Sequence, residues 1–158
     1  MGLLTDDMKR VVRQQRLGFV ATVCADGTPN LSPKGTTTVW DDDHLVFADI
    51  CSPATVANLR RNAAVEINVV DPIVRKGYRF AGKARVLTDG PLFEEALTFY
   101  RRQGVPVERD GKRRVRSIVL VRVEHATALI SPAYDDGTSE DEVRARWTAH
   151  FAGLSAER

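Results

Sequence analysis

The sequence predicts a mainly β domain, an antiparallel barrel of six strands with short flanking helices. Six runs carry the alternating or β-branched pattern of strands, and they follow one another largely in hairpin order, beginning around the two-residue turn Asp26-Gly27. The helical stretches between them lack the regular β-α-β alternation that a parallel sheet needs. There is no internal repeat, low-complexity tract or glycine-rich phosphate loop.

Each element has its own signal. Thr5 reads as a helix N-cap, and Asp6 and Asp7 place negative charge at the positive end of the helix dipole. Met8, Val11, Val12 and Leu17 give that helix an apolar face, which ends at Gly18. Residues 19–24 suit a strand, and residues 30–40 the strand that returns from the Asp26-Gly27 turn, until Asp41-Asp42-Asp43 breaks it. A third strand covers 45–48. Ser52 and Pro53 then stand as N-cap and first residue of a helix carrying Val56, Leu59, Arg60 and Arg61.

Residues 64–70 and 78–87 are the fourth and fifth strands, connected through Pro72 and Gly77, with Gly82 inside the fifth. Asp89-Gly90-Pro91 opens a helix through Phe93, Ala96, Leu97 and Tyr100. The segment 101–116 is rich in charge, contains Gly104, Pro106 and Gly111, and reads as a mobile loop. Residues 117–130 form a long, β-branched sixth strand. A last helix over about 140–151 sets Val143, Trp147 and Phe151 four residues apart as a packing face.

At 158 residues this is one domain, with a core over about 11–130. A formal net charge of +2 does not call for a nucleic-acid or membrane partner, and no run is long enough to span a bilayer. The charged residues within the first sixteen leave no apolar stretch for a secretion signal, so a cytoplasmic setting is expected. Cys24 and Cys51 lack metal-ligand spacing and are expected as free thiols. His44, His125 and His150 are scattered and read as structural, and Asp41 to Asp43 as a solvated turn.

Three segments carry the candidate chemistry. In Ser32-Pro33-Lys34-Gly35-Thr36, Pro33 removes a ladder donor and Gly35 leaves the backbone bare, so a flat ring could lie there and Lys34 could answer negative charge on it. The competing reading is a bulged strand with a solvated lysine. In the second segment, Ser52 and Thr55 add hydroxyls to a helix N-terminus, which suits a phosphate, unless Ser52 merely caps the helix. Third, Arg79 on the fifth strand could grip a phosphate bidentately or sit in a surface ion pair. The basic residues of 101–116 lack the interleaved aromatics expected for nucleic acid.

Together these segments resemble the pyridoxamine 5′-phosphate oxidase-like superfamily of FMN-binding proteins. The resemblance covers about residues 11–123 and rests on four pieces in order. They are Gly18 to Cys24 with Asp26-Gly27-Thr28-Pro29, then Ser32-Pro33-Lys34-Gly35, then Leu45 to Asp49 leading into Thr55 to Asn62, and finally Gly77 to Ala84. It implies a six-stranded antiparallel split β-barrel and a homodimer with the cofactor at the subunit interface. By the same resemblance Ser32, Pro33, Lys34, Gly35 and Thr36, with Phe47, Ala48 and Asp49, would line the flavin ring. Ser52, Thr55 and Asn58 would sit near its phosphate or ribityl chain, with Arg79 as a further candidate.

The chain also departs from the pattern. Members that oxidise pyridoxamine phosphate carry a basic pair where this chain has Ala54-Thr55 and an arginine where it has Ser32, and their C-terminal arginine and histidine pattern is absent after Ile130. Vitamin B6 oxidation is therefore not expected. The reading is an FMN-dependent oxidoreductase on an unidentified substrate, against a flavin-binding electron carrier or an F420- or haem-binding member of the same superfamily. No metal ligand set and no catalytic acid-base pair is assigned.

Overall fold

The computed structural model describes residues 2–156. Four helices, α1 (Asp6–Gln15), α2 (Pro53–Arg61), α3 (Pro91–Arg102) and α4 (Glu140–Ala156), surround nine strands. The strands are β1 (Gly18–Val23), β2 (Pro29–Lys34), β3 (Thr38–Val39), β4 (His44–Asp49), β5 (Ala64–Asp71), β6 (Lys76–Leu87), β7 (Glu108–Arg109), β8 (Lys112–Arg113) and β9 (Ser117–Ile130). Seven form one antiparallel sheet in the order β2-β1-β5-β6-β9-β4-β3, and β7 pairs only with β8.

The two edges of the large sheet, β2 and β3, are consecutive in the chain and separated only by Gly35, Thr36 and Thr37. Four Cα steps span at most about 14 Å, so the sheet has to curl until its edges nearly meet. That curl makes the split barrel. Its interior is filled by Val20, Leu45, Phe47, Ile67, Val69, Phe80, Val119 and Val121, all fully buried. α1 closes one opening with Val11 and Val12, and Leu59 of α2 joins the same core. β4 is buried on both faces: Leu45 and Phe47 point inward, while Val46 and Ala48 lie under Phe93, Leu97 and Tyr100 of α3.

The sheet has seven strands where the sequence predicts six, because residues 30–40 do not run as one strand. Thr37 folds back on Lys34, donating from its N–H (3.3 Å) and its hydroxyl (2.9 Å) to the Lys34 carbonyl. The break hands the chain from one sheet edge to the other. α1 stops at Gln15, because Arg16 turns left-handed (φ 51°), and Leu17 is exposed instead of extending the helix face.

The segment 101–116 is not featureless. Asp110 and Gly111 both have positive φ, the requirement of a tight hairpin turn, and Val107 and Val115 bury its base under α3. α4 runs to Ala156 and starts with a capping box, in which the Ser139 hydroxyl and the Glu142 carboxylate satisfy each other's backbone N–H. Of its expected packing face only Val143 is buried. Trp147 is covered by the Arg75 guanidinium, 3.4 Å from the ring centroid, and Phe151 is exposed.

β6 and β9 shift register between Ala81 and Gly82, and a Cβ on Gly82 would stand 1.9 Å from the Arg122 carbonyl oxygen. No side chain fits there without moving β9. Gly82→Ala is expected to destabilise the fold by about 1–3 kcal/mol, measured by chemical denaturation, whereas Gly35→Ala, whose Cβ meets nothing within 4 Å, has little effect.

Candidate functional site: a cleft at the barrel seam

Beside the three-residue link lies a cleft of about 170 Å³ lined by Pro33, Lys34, Gly35, Thr36, Ala48, Ile50, Cys51 and Ser52. Two observations set it apart from an ordinary surface dent. Lys34 is 95 % buried by accessible area, being only 5 % exposed, yet its ammonium forms no ion pair among the described residues. It donates instead to the hydroxyls of Ser32 and Ser52, the latter at 2.7 Å. Burial pushes its pKa below the ordinary lysine value, with Asp49 partly opposing that shift.

The second observation is at the start of α2. Ser52 does not cap the helix; its hydroxyl accepts a hydrogen bond from the Lys34 ammonium while its own N–H donates to Asp49 Oδ1 at 2.8 Å. The first-turn N–H groups of α2 therefore lack a side-chain acceptor from the N-cap. A buried ammonium and a helix N-terminus converge on one opening, which is the electrostatic arrangement that an anion stabilises.

Hydrogen bonds tie the walls together. The Thr36 hydroxyl accepts from the Ala48 N–H (2.9 Å) and approaches the Ala48 carbonyl (3.2 Å), and the Thr36 carbonyl accepts from the buried Tyr100 hydroxyl (2.9 Å). Desolvation pushes the Tyr100 pKa upward, so it stays a donor. Asp49 is held by Ser52 on one oxygen and faces the Ser117 hydroxyl, 3.3 Å away, on the other.

Of the residues singled out in the sequence, Pro33, Lys34, Gly35, Thr36, Ala48 and Ser52 meet in the cleft, and Ser32 and Asp49 support it through hydrogen bonds. Phe47 is wholly inside the barrel. Thr55 and Asn58 are buried beneath α2, where the Asn58 amide is used by Thr22, Cys24 and Arg61. Arg79 points outward and lies 3.7 Å from Glu66. It stands three strands from Pro33, along the row Arg79, Asn68, Phe19, Pro33, or roughly 14 Å. Within one chain it does not reach the cleft.

Ile50, Cys51 and Tyr100 were not among the site residues expected from the sequence. The first two lie between a recognised strand end and a recognised helix start, a position that could have flagged them. Tyr100 is 64 residues from Thr36, and no local pattern announces that contact.

Pro33 also belongs to the outer face of β1 and β2, where the register pairs Phe19 with Pro33, Ala21 with Leu31 and Val23 with Pro29. All six are apolar. Leu31 is 65 % exposed and Phe19 42 %, and an adjoining groove of about 410 Å³ runs over Ala21, Val23, Pro29 and Ala81. Cys24 and Cys51 are free. No helix among the described residues is long and apolar enough to cross a membrane.

The sequence matches the family described as pyridoxamine 5′-phosphate oxidase over residues 4–129, which includes the whole cleft. The structure is similar to HupZ of Group A Streptococcus, with 30 % identity and a TM-score of 0.70, covering 82 % of this chain and 96 % of that one. It is also similar to an FMN-binding protein of Syntrophomonas wolfei (14 % identity, TM-score 0.61, 79 % and 85 % covered). An F420 reductase shares the fold at 22 % identity and a TM-score of 0.61, with 78 % and 98 % covered. No curated protein matches. The family match over residues 4–129 and the fold shared with a 30 % identical structure show that the chain belongs to the pyridoxamine 5′-phosphate oxidase-like superfamily of split β-barrels.

Proposed function

We propose that the protein binds FMN without a covalent link, as a homodimer, and serves as an FMN-dependent oxidoreductase. The observation that carries this reading is the buried Lys34 ammonium beside the start of α2. It fits the cofactor's phosphate better than its ring, so the role that the sequence suggested for Lys34 moves from the ring to the anionic end. Lys34, Ser52 and the first amides of α2 would hold the phosphate, leaving the backbone of 33–36 and Ala48 to face the ring. Bound FMN supplies hydride or electron transfer, and the protein supplies position and charge.

Two observations support the proposed dimer. A cleft of about 170 Å³ is smaller than the roughly 300–1,000 Å³ of sites that enclose a cofactor-sized ligand. A second copy docking on the apolar face that shares Pro33 with the cleft would supply the missing wall. An electron carrier with no substrate of its own is the second reading, favoured by a cleft whose ionisable groups, Lys34 and Cys51 with Asp49 behind them, include no acid-base pair within hydrogen-bond reach.

Added FMN is expected to shift its visible absorption on binding, and Lys34→Met to weaken its affinity by about 10- to 100-fold, the loss of one charge-assisted hydrogen bond. A spectrum that takes up F420 or haem and ignores FMN would keep the barrel and overturn the cofactor. The phosphate is dianionic above neutral pH, so wild-type affinity should fall as pH rises through the Lys34 pKa, starting below the range of an ordinary lysine. That decline should vanish in Lys34→Met. Leu31→Asp should convert the dimer to a monomer in light scattering and weaken FMN binding with it; a monomeric wild type that binds FMN fully would rule out a shared site.

A further inference from the structure

The segment 101–116 carries seven of the chain's cationic side chains and only two acidic ones, although the whole chain is +2, so the remainder of the molecule is net acidic. The structure gives this excess a direction. Val115 and Ser117 are buried, and Arg113 turns back to Glu94 of α3 at 3.6 Å. The alternate residues Lys112, Arg114 and Arg116 are all exposed and have no ion-pair partner among the described residues. Past Lys112 and Arg113 the strand bulges, since the Arg114 and Val115 N–H groups both donate to the Val107 carbonyl (2.8 and 3.2 Å), and the three cations lie within five residues of chain. The backbone of this segment joins the strand that borders the cleft, because the Arg116 N–H donates to the Asp49 carbonyl at 2.9 Å and Asp49 in turn accepts from the Ser52 N–H.

We propose that Lys112, Arg114 and Arg116 form a docking rail for a phosphorylated pyridine dinucleotide whose nicotinamide end reaches the flavin site; this rests on the reading of the cleft given above. Three exposed, uncompensated cations within five residues match a ligand with several separated phosphates. The pyrophosphate of a dinucleotide engages part of the row, and a 2′-phosphate adds nearly two further charges for the rest. A nucleic acid fits less well, since no exposed aromatic side chain interrupts the row to stack on bases. Because the rail is exposed, its attraction is screened by salt.

The test is calorimetric titration of the FMN-loaded protein with NADP⁺ and with NAD⁺ at low and at physiological ionic strength, repeated on Lys112→Ala/Arg114→Ala. NADP⁺ is expected to bind at least tenfold tighter than NAD⁺ at low salt, and the double variant to lose that difference while keeping its flavin spectrum. Equal affinity for the two dinucleotides, no binding of either, or a preference that survives in the double variant overturns the rail. So does a single-stranded oligonucleotide that competes more strongly than NADP⁺ through the same residues. The flavin spectrum recorded before titration separates the two claims: a wild type that takes up no FMN fails at the cleft, and the rail falls with it.

Discussion

The architecture depends on one covalent constraint, the three residues that join the opposite edges of the sheet. Gly35, Thr36 and Thr37 are too short to let β2 and β3 separate, so the seven strands between and including those edges must close around a common interior. A tight connection of this kind strands backbone groups, and the structure recovers them one by one. The Thr36 hydroxyl serves the Ala48 backbone, the Thr37 hydroxyl serves Lys34, and Tyr100 of α3 reaches in to serve Thr36. α3 is thereby tied to the seam as well as packed on the strand beside it.

The seam also explains where charge accumulates. The fold-back at Thr37 buries Lys34, whose ammonium is left with two hydroxyls and no carboxylate partner among the described residues. A buried, uncompensated charge is costly, and proteins retain one where a ligand completes it. In the proposed dimer the same strand that carries Lys34 presents Leu31 and Pro33 on its other face, so the period of two divides β2 between an anion site and an interface. Closure, the buried charge and the proposed association then all trace back to the stretch from Leu31 to Thr37.

Much of this was legible in the sequence because its signals are local. The Asp26-Gly27 turn, the capped first helix and the β-branched run to Ile130 each announce themselves within a few residues, and the structure places strands or helices there. What escaped depends on distant partners. Nothing in 30–40 shows that the chain leaves β1 and joins β4 halfway along, since a strand with Pro33 and Gly35 still reads as a strand until its two pairings are known. Val143, Trp147 and Phe151 have helical spacing, but whether that face meets a core is decided elsewhere. The sequence offered residues 32–36 and a second stretch from Phe47 to Asn58, and of these Pro33 to Thr36, Ala48 and Ser52 meet in the cleft; that Lys34 would bond Ser52 across eighteen residues was not legible. Arg79 was the natural candidate by residue type, and the strand order sets it far from the cleft of its own chain.

The central claim is that the barrel seam, through Lys34 and the start of α2, is an anion site for a flavin phosphate. A crystal structure of the protein grown with FMN tests it most directly. The account predicts the phosphate within hydrogen-bonding distance of Lys34 Nζ and the first-turn amides of α2, at an interface between two copies of the chain. A phosphate held elsewhere, with Lys34 still bonded only to Ser32 and Ser52, would contradict it.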